Sequence, residues 1–153
     1  TYLVEPYCVK LSGGRWYMLA RSVEKGRLLL YSLDRLEHVR TTEQKFELPR
    51  DFVAKDYFAD FFGIVIDENV PLQRIVLQAD KYHQYYMRTL PMHHSQRELF
   101  SCDDYADFEL TLRPTYDFYM RLMSWGNMIK VLEPQSLQDE LCKWLRKTME
   151  VYE

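Results

Sequence analysis

The chain has 153 residues, 47% of them hydrophobic and 15% aromatic, and 20 Lys and Arg against 23 Asp and Glu leave a formal net charge of -3. That length makes one compact domain or two small ones, and the mix of 28% charged residues with abundant apolar ones excludes a disordered chain. Five Gly and 6 Pro exclude collagen-like and low-complexity chains, and the acidic balance excludes a protein that coats duplex DNA, though an anionic ligand on a local arginine cluster stays open.

Apolar runs reach only about four residues, as at Leu28-Leu29-Leu30-Tyr31, too short to span a membrane. Glu5, Lys10 and Arg15 interrupt the first residues, which argues against a signal peptide. Cys8, Cys102 and Cys142 are widely spaced with no C-x-x-C pair, the usage of reduced cytoplasmic thiols rather than of zinc or a disulfide framework. The chain starts at Thr1 without a Met and enters a strand-like segment at once, which reads as a piece of a longer protein.

In chain order, Tyr2 to Leu11 predicts a strand, and Ser12-Gly13-Gly14 a hairpin turn. Arg15 to Ser22, the turn Glu24-Lys25-Gly26, Arg27 to Leu33 and a short continuation from Leu36 to Arg40 complete a small barrel or meander. Asp51 to Phe62 predicts a short helix, capped by Asp51 and ended by Gly63, and Gly63 to Pro71 is the candidate domain boundary. Leu72 to Ala79 alternates as a strand. Asp80 can cap a helix whose Tyr82, Tyr85, Tyr86 and Leu90 precede Pro91; Tyr82 and Tyr85 read as packing residues. Gln96 to Ser101 and Tyr105 to Arg113 form a hairpin, the second strand pointing Ala106, Phe108, Leu110 and Leu112 inward. Pro114-Thr115 starts a helix with Phe118, Tyr119, Leu122, Met123 and Trp125 on its apolar face. Met128 to Leu132 is a strand. Pro134 opens a last amphipathic helix with Leu137, Leu141, Trp144, Leu145 and Tyr152 on one face. The second half therefore runs β-α-β-β-α-β plus a helix, a ferredoxin-like order. The expected fold is α+β, with a barrel over residues 1–65 and the ferredoxin-like extension over 70–153.

Strand parity supplies the chemical hint. Arg15, Tyr17, Leu19 and Arg21 share the odd face of one strand, and Arg27, Leu29, Tyr31, Leu33 and Arg35 repeat the pattern in the next. Arginines and tyrosines brought onto one surface would suit a single-stranded nucleic acid or a nucleotide, since guanidinium groups grip phosphates and tyrosine rings stack on bases. An ordinary solvated face, with Arg stems lying over aromatics, gives the same pattern.

Trp16-Tyr17-Met18, with Val4-Glu5-Pro6-Tyr7 and Gly14-Arg15 before it and Leu33-Asp34-Arg35-Leu36 after, resembles the WYL domain of bacterial transcription regulators. Leu90-Pro91-Met92-His93-His94-Ser95-Gln96, Thr115-Tyr116-Asp117-Phe118 and Val131-Leu132-Glu133-Pro134 resemble that family's C-terminal extension, WCX. The resemblance spans essentially the whole chain. It implies an SH3/Sm-like barrel, a homodimer, a ligand that in several members is single-stranded DNA, and operator DNA bound through an N-terminal winged helix-turn-helix that this sequence does not include. It places ligand contacts on Tyr7, Tyr17 and Arg35, to which parity adds Arg21 and Arg27; His93, His94 and Gln96 are candidates for touching a ligand or a partner subunit. Met18 ends the tripeptide in place of Leu, and Leu29 and Ser32 stand where the family often carries arginines; Arg27, two residues before Leu29 on its face, could substitute.

No cofactor or metal is expected, because two adjacent histidines of a strand point to opposite faces. No glycine-rich phosphate loop, G-x-S-x-G elbow or H-E-x-x-H motif is present, so an enzyme is not expected. Two rivals remain: a pure interaction module of a defence or CRISPR-type accessory protein, and a metal-dependent hydrolase around His93, His94 and Asp103.

Overall fold

The computed structural model describes residues 2–153, in one unit ending at Tyr57 and a second, Phe58–Glu153. In the first unit β1 (Val4–Ser12), β2 (Arg15–Ser22) and β3 (Arg27–Ser32) form a three-stranded antiparallel sheet in the order β1-β2-β3. Gly13 (φ 56°) and Gly14 (φ 77°) supply the two positive-φ positions of the tight turn between β1 and β2, which seats Ser12 opposite Arg15. The continuation expected over Leu36 to Arg40 is not a strand; β3 runs instead into a single 3-10 turn, Leu33–Arg35.

The second unit contains β4 (Gln73–Asp80), α2 (His83–Thr89), β5 (Arg97–Ser101), β6 (Tyr105–Leu112), α3 (Tyr116–Ser124), β7 (Ile129–Glu133) and α4 (Gln135–Glu150), after α1 (Ala54–Tyr57) closes the first unit. Its sheet order is β5-β6-β4-β7 with every pair antiparallel, the ferredoxin-like arrangement that the order of elements predicts. The whole is an α+β chain. Ala106, Phe108, Leu110 and Leu112 are all buried, so the alternation of β6 holds residue by residue, and they meet Ile75, Leu77, Phe118, Leu122 and Leu137 in one core. The Asp80 carboxylate accepts from the backbone N–H of Tyr82 (3.0 Å) and His83 (2.7 Å), the expected cap.

Two expectations fail here for identifiable reasons. The helix predicted over residues 51–62 is one turn, Ala54–Tyr57, because the residues after it are drawn onto the second unit instead of continuing the spiral. Phe61 bridges to Arg113 beyond the end of β6, the Arg113 N–H donates to the Asp60 carbonyl at 2.7 Å, and the Phe62 ring meets Phe118 edge-on at 5.5 Å. The second failure is the facing of α2. Tyr82, Tyr85, Tyr86 and Leu90 are exposed, and His83, Gln84 and Met87 are the buried residues. His83 packs its ring edge-on against Trp125 at 4.5 Å while Met87 enters the core, and the helix turns its tyrosines outward as a result. Tyr152, expected to pack, is also exposed.

The first segment of the second unit is pinned by one carboxylate. Asp117 Oδ2 accepts from the N–H of Ile64 (2.8 Å) and Val65 (3.1 Å), while Oδ1 accepts from the Thr115 hydroxyl (2.8 Å). A Cβ added at Gly63 would lie 2.1 Å from Asp117 Oδ2. Gly63→Ala must therefore displace the carboxylate, and is expected to destabilise the chain by about 1–3 kcal/mol, the range for backbone donors left unpaired. A double-mutant cycle read by urea denaturation checks this: Gly63→Ala should cost far less in an Asp117→Ala background than in the wild type.

Candidate ligand-binding face

Register decides which side chains share a surface. Across β2 and β3, Tyr17 pairs with Ser32, Leu19 with Leu30 and Arg21 with Leu28, whereas Met18 pairs with Tyr31 and Ser22 with Arg27. The four residues between Ser22 and Arg27 make paired positions sum to an odd number, so odd residues of β2 face even residues of β3. Tyr17 and Arg21 thus lie on one face, and Arg27 and Tyr31 on the other. The single Arg/Tyr surface expected from parity does not form.

What does form is a row across three strands: Lys10, Tyr17 and Ser32, cross-strand neighbours on one face. Tyr17 is half-buried. At the end of this row the Arg15 guanidinium pairs with Asp34 at 3.5 Å, and the Ser32 hydroxyl donates to the same carboxylate. That hydroxyl, followed by Arg15 and Arg35, holds the Asp34 carboxyl below the usual range. Arg35 follows directly in the 3-10 turn; it is exposed and makes no ion pair among the described residues. Asp34 thus bonds to Ser32 and pairs with Arg15, while Arg35 acts on it through its charge without an ion pair.

The other predicted contacts scatter. Arg21 sits four residues from Tyr17, about 13 Å along the strand, and its guanidinium is taken by Glu5 at 3.1 Å. Tyr7 occupies a bulge in β1, between Pro6 and Cys8, and its ring meets Phe52 edge-on at 4.9 Å. Arg27 is exposed on the opposite face. Lys10 completes the site although no motif names it, and Arg15, quoted with the tripeptide, joins it through Asp34; the tight Gly13-Gly14 turn, by seating Ser12 opposite Arg15, already implies that Lys10 stands opposite Tyr17.

In the second unit, His93, His94 and Gln96 fall in the loop before β5. The Gln96 amide accepts from the Met92 N–H (2.9 Å) within the loop and donates to the Met87 carbonyl of α2 (2.6 Å). His93 Nδ1 lies 2.7 Å from the Ser95 hydroxyl, which accepts from the Thr111 N–H and donates to the Thr111 carbonyl. His94 Nε2 lies 2.7 Å from the Ala59 carbonyl. These side chains hold the loop to β6 and to the segment preceding the sheet. Among the described residues no group of three or more His, Cys, Asp or Glu is placed to hold a metal ion.

On its outer face the larger sheet presents Arg74, Val76 and Gln78 beside Asp107, Glu109 and Thr111 on its central strands, with Tyr105 at the end of that row against the Phe100 ring at 5.6 Å. Glu109 accepts from Arg74 (2.5 Å) and Arg97 (2.6 Å), and Arg74 reaches on to Glu133. Arg97, then Arg74, hold the Glu109 carboxyl below the usual range. Charge separates the units as well: 10 Lys and Arg stand against 8 Asp and Glu through Tyr57, and 10 against 15 from Phe58 onward, or +2 and -5. An anion is favoured on the first unit.

The sequence model of the WYL domain matches residues 1–41, and that of the WCX domain matches residues 71–149, more than half of the chain. The chain belongs to the WCX family, with a WYL domain in front. Lys10, Arg15, Tyr17, Ser32 and Arg35 all lie within the WYL match, and His93, His94 and Gln96 within the WCX match. Among solved structures, the chain is similar to proteasome accessory factor B/C (PafBC) of Arthrobacter aurescens, at 21% identity and a TM-score of 0.37. That match covers 92% of this chain and 21% of the other, so the chain spans about a fifth of that protein. No curated protein matches the sequence significantly. No helix among the described residues is long and apolar enough to cross a membrane.

Proposed function

We propose that this chain is the ligand-sensing, dimerising and non-enzymatic module of a cytoplasmic bacterial transcriptional regulator, and that a single-stranded nucleic acid or a nucleotide lies along the Lys10–Tyr17–Ser32 row of the WYL sheet. The observation that carries the reading is the end of that row, where half-buried Tyr17 stands opposite Ser32 and the exposed Arg35, three residues beyond Ser32 in the 3-10 turn, makes no ion pair among the described residues of the positively charged unit. Arg35 and Lys10 suit phosphate oxygens and the Tyr17 ring suits a base. Arg15 and Ser32 hold Asp34 and so keep that carboxylate from closing on Arg35. Ligand binding would act by population shift, favouring one state of a homodimer and so changing how an attached winged helix meets operator DNA. Fluorescence anisotropy with short labelled single-stranded oligonucleotides tests it. Micromolar binding that weakens steeply with salt is expected, and no salt-sensitive binding in that range would overturn the ligand reading.

A second reading, a pure protein-interaction module, draws on the opposite face of the same sheet. Leu11 and Trp16 are cross-strand neighbours there, 55% and 51% exposed, with Val9 beside them at 57%. An apolar group of this kind fits a protein partner better than an anion. A stable complex formed through Trp16, together with no oligonucleotide affinity, would favour it.

A further inference from the structure

We propose that the surface between α2 and the end of α3 binds a small planar aromatic acid that carries a hydroxyl opposite its carboxylate. This site lies in the second unit and is independent of the ligand reading of the WYL sheet.

The first observation is a buried nitrogen without a partner. His83 is 7% exposed, and no group of the described residues hydrogen-bonds to its Nε2. Buried polar atoms are paired in the great majority of cases, so an orphan of this kind marks a place for a group that the chain does not supply. Burial, only partly countered by the Asp80 carboxylate, pushes the His83 imidazole below its ordinary pKa, and the ring is neutral at pH 7. Nε2 of a neutral ring is a donor in one tautomer and an acceptor in the other, and a hydroxyl serves both.

The second observation is an unpaired cation on the same indole. The His83 ring lies edge-on to Trp125 at 4.5 Å, and the Arg121 guanidinium lies over that Trp125 ring at 5.7 Å. Arg121 also covers Phe62 at 5.8 Å, is exposed, and makes no ion pair among the described residues. A guanidinium laid over aromatic rings keeps its N–H edge for a carboxylate, to which it donates two parallel hydrogen bonds. Tyr86 completes the surroundings of His83. Its ring is tilted over the imidazole at 5.5 Å and is 67% exposed, so rotation of an exposed side chain is enough to uncover Nε2. The ligand that satisfies both ends has its ring against Trp125 and Tyr86, its carboxylate on Arg121 and its hydroxyl on His83.

The test titrates 4-hydroxybenzoate, benzoate and 4-hydroxybenzamide into the full 153-residue chain and follows the histidine ring signals by NMR, with His83 assigned through His83→Phe. 4-Hydroxybenzoate is expected to move the His83 signals saturably, with half-saturation at about 1 mM or below. Benzoate lacks the hydroxyl and should bind about five-fold more weakly; 4-hydroxybenzamide lacks the charge and should bind about ten-fold more weakly. Arg121→Gln, a change at an exposed position, should remove the preference for the acid over the amide. The three ligands are compared on the unaltered chain, so misfolding cannot produce the expected order. His83 signals that stay fixed up to about 10 mM ligand, or that move equally with all three, would overturn the proposal. So would an acid preference undiminished in Arg121→Gln, which would leave that guanidinium a cover for Phe62 and Trp125.

Discussion

Tyr17→Ala and Arg35→Ala are each expected to weaken single-stranded oligonucleotide binding by about 5- to 150-fold, the range of about 1–3 kcal/mol per stacked base or charged contact. The two losses should differ in kind. Removing the Tyr17 ring lowers affinity at every salt concentration, whereas removing the Arg35 guanidinium also lowers the slope of log affinity against log salt by about one. Arg27→Ala is the discriminating control. Arg27 lies opposite Ser22 on the other face of the sheet, so its loss should leave affinity close to wild type. Arg21→Ala should have a smaller effect than Arg35→Ala, because Glu5 already holds that guanidinium. Anisotropy titrations of the four variants at two salt concentrations check the series. Equal losses in Arg27→Ala and Arg35→Ala would refute the placement of the ligand on the Lys10–Tyr17–Ser32 row.

The largest effect on stability is expected at Phe118. This side chain is fully buried beneath the sheet of the second unit, and its ring meets Phe62 from the segment that enters that unit. Phe118→Ala removes a ring and leaves a cavity between α3 and the sheet, at a cost of about 3–5 kcal/mol. That is a large share of the roughly 5–15 kcal/mol that stabilises an ordinary domain, so a marked fall in the urea midpoint should follow. Met87→Ala on α2 should cost about 2–5 kcal/mol, while Tyr82→Ala, five residues earlier and 70% exposed, should stay within about 0.5 kcal/mol of wild type. The contrast between Met87 and Tyr82 reports directly on which face of the helix is packed.

Much of the second unit was legible because its signals are local. The alternation of Ala106, Phe108, Leu110 and Leu112 is a period of two within one strand, and each of these residues is buried as its spacing implies. Asp80 caps α2 by accepting from the N–H groups two and three residues on, a contact that needs no other part of the chain. The tyrosines of α2 misled because three aromatics and a leucine on one helical face look like a core stripe. A helix buries whichever face its neighbours can fill, and here Trp125 receives His83. Of the candidate site, Tyr17 and Arg35 were visible as residue types in a suggestive place, but Lys10 was not, because its partnership with Tyr17 runs through a turn.

The sequence by itself determined the order of the elements, the split into a strand-rich first part and a ferredoxin-like second part, and the presence of arginines and tyrosines on the first. These depend on periodicities and caps that extend over a few residues. Only the tertiary structure decided which of those side chains share a surface. The loop between Ser22 and Arg27 sets odd positions of β2 against even positions of β3 and so parts Tyr17 from Arg27. Tertiary contacts likewise drew Phe61 and Phe62 out of a predicted helix and onto the second unit. The capture of a segment is set by contacts between residues distant in sequence, which no local pattern encodes, and the pairing register turns on how the chain closes a loop, which alternation within one strand does not report.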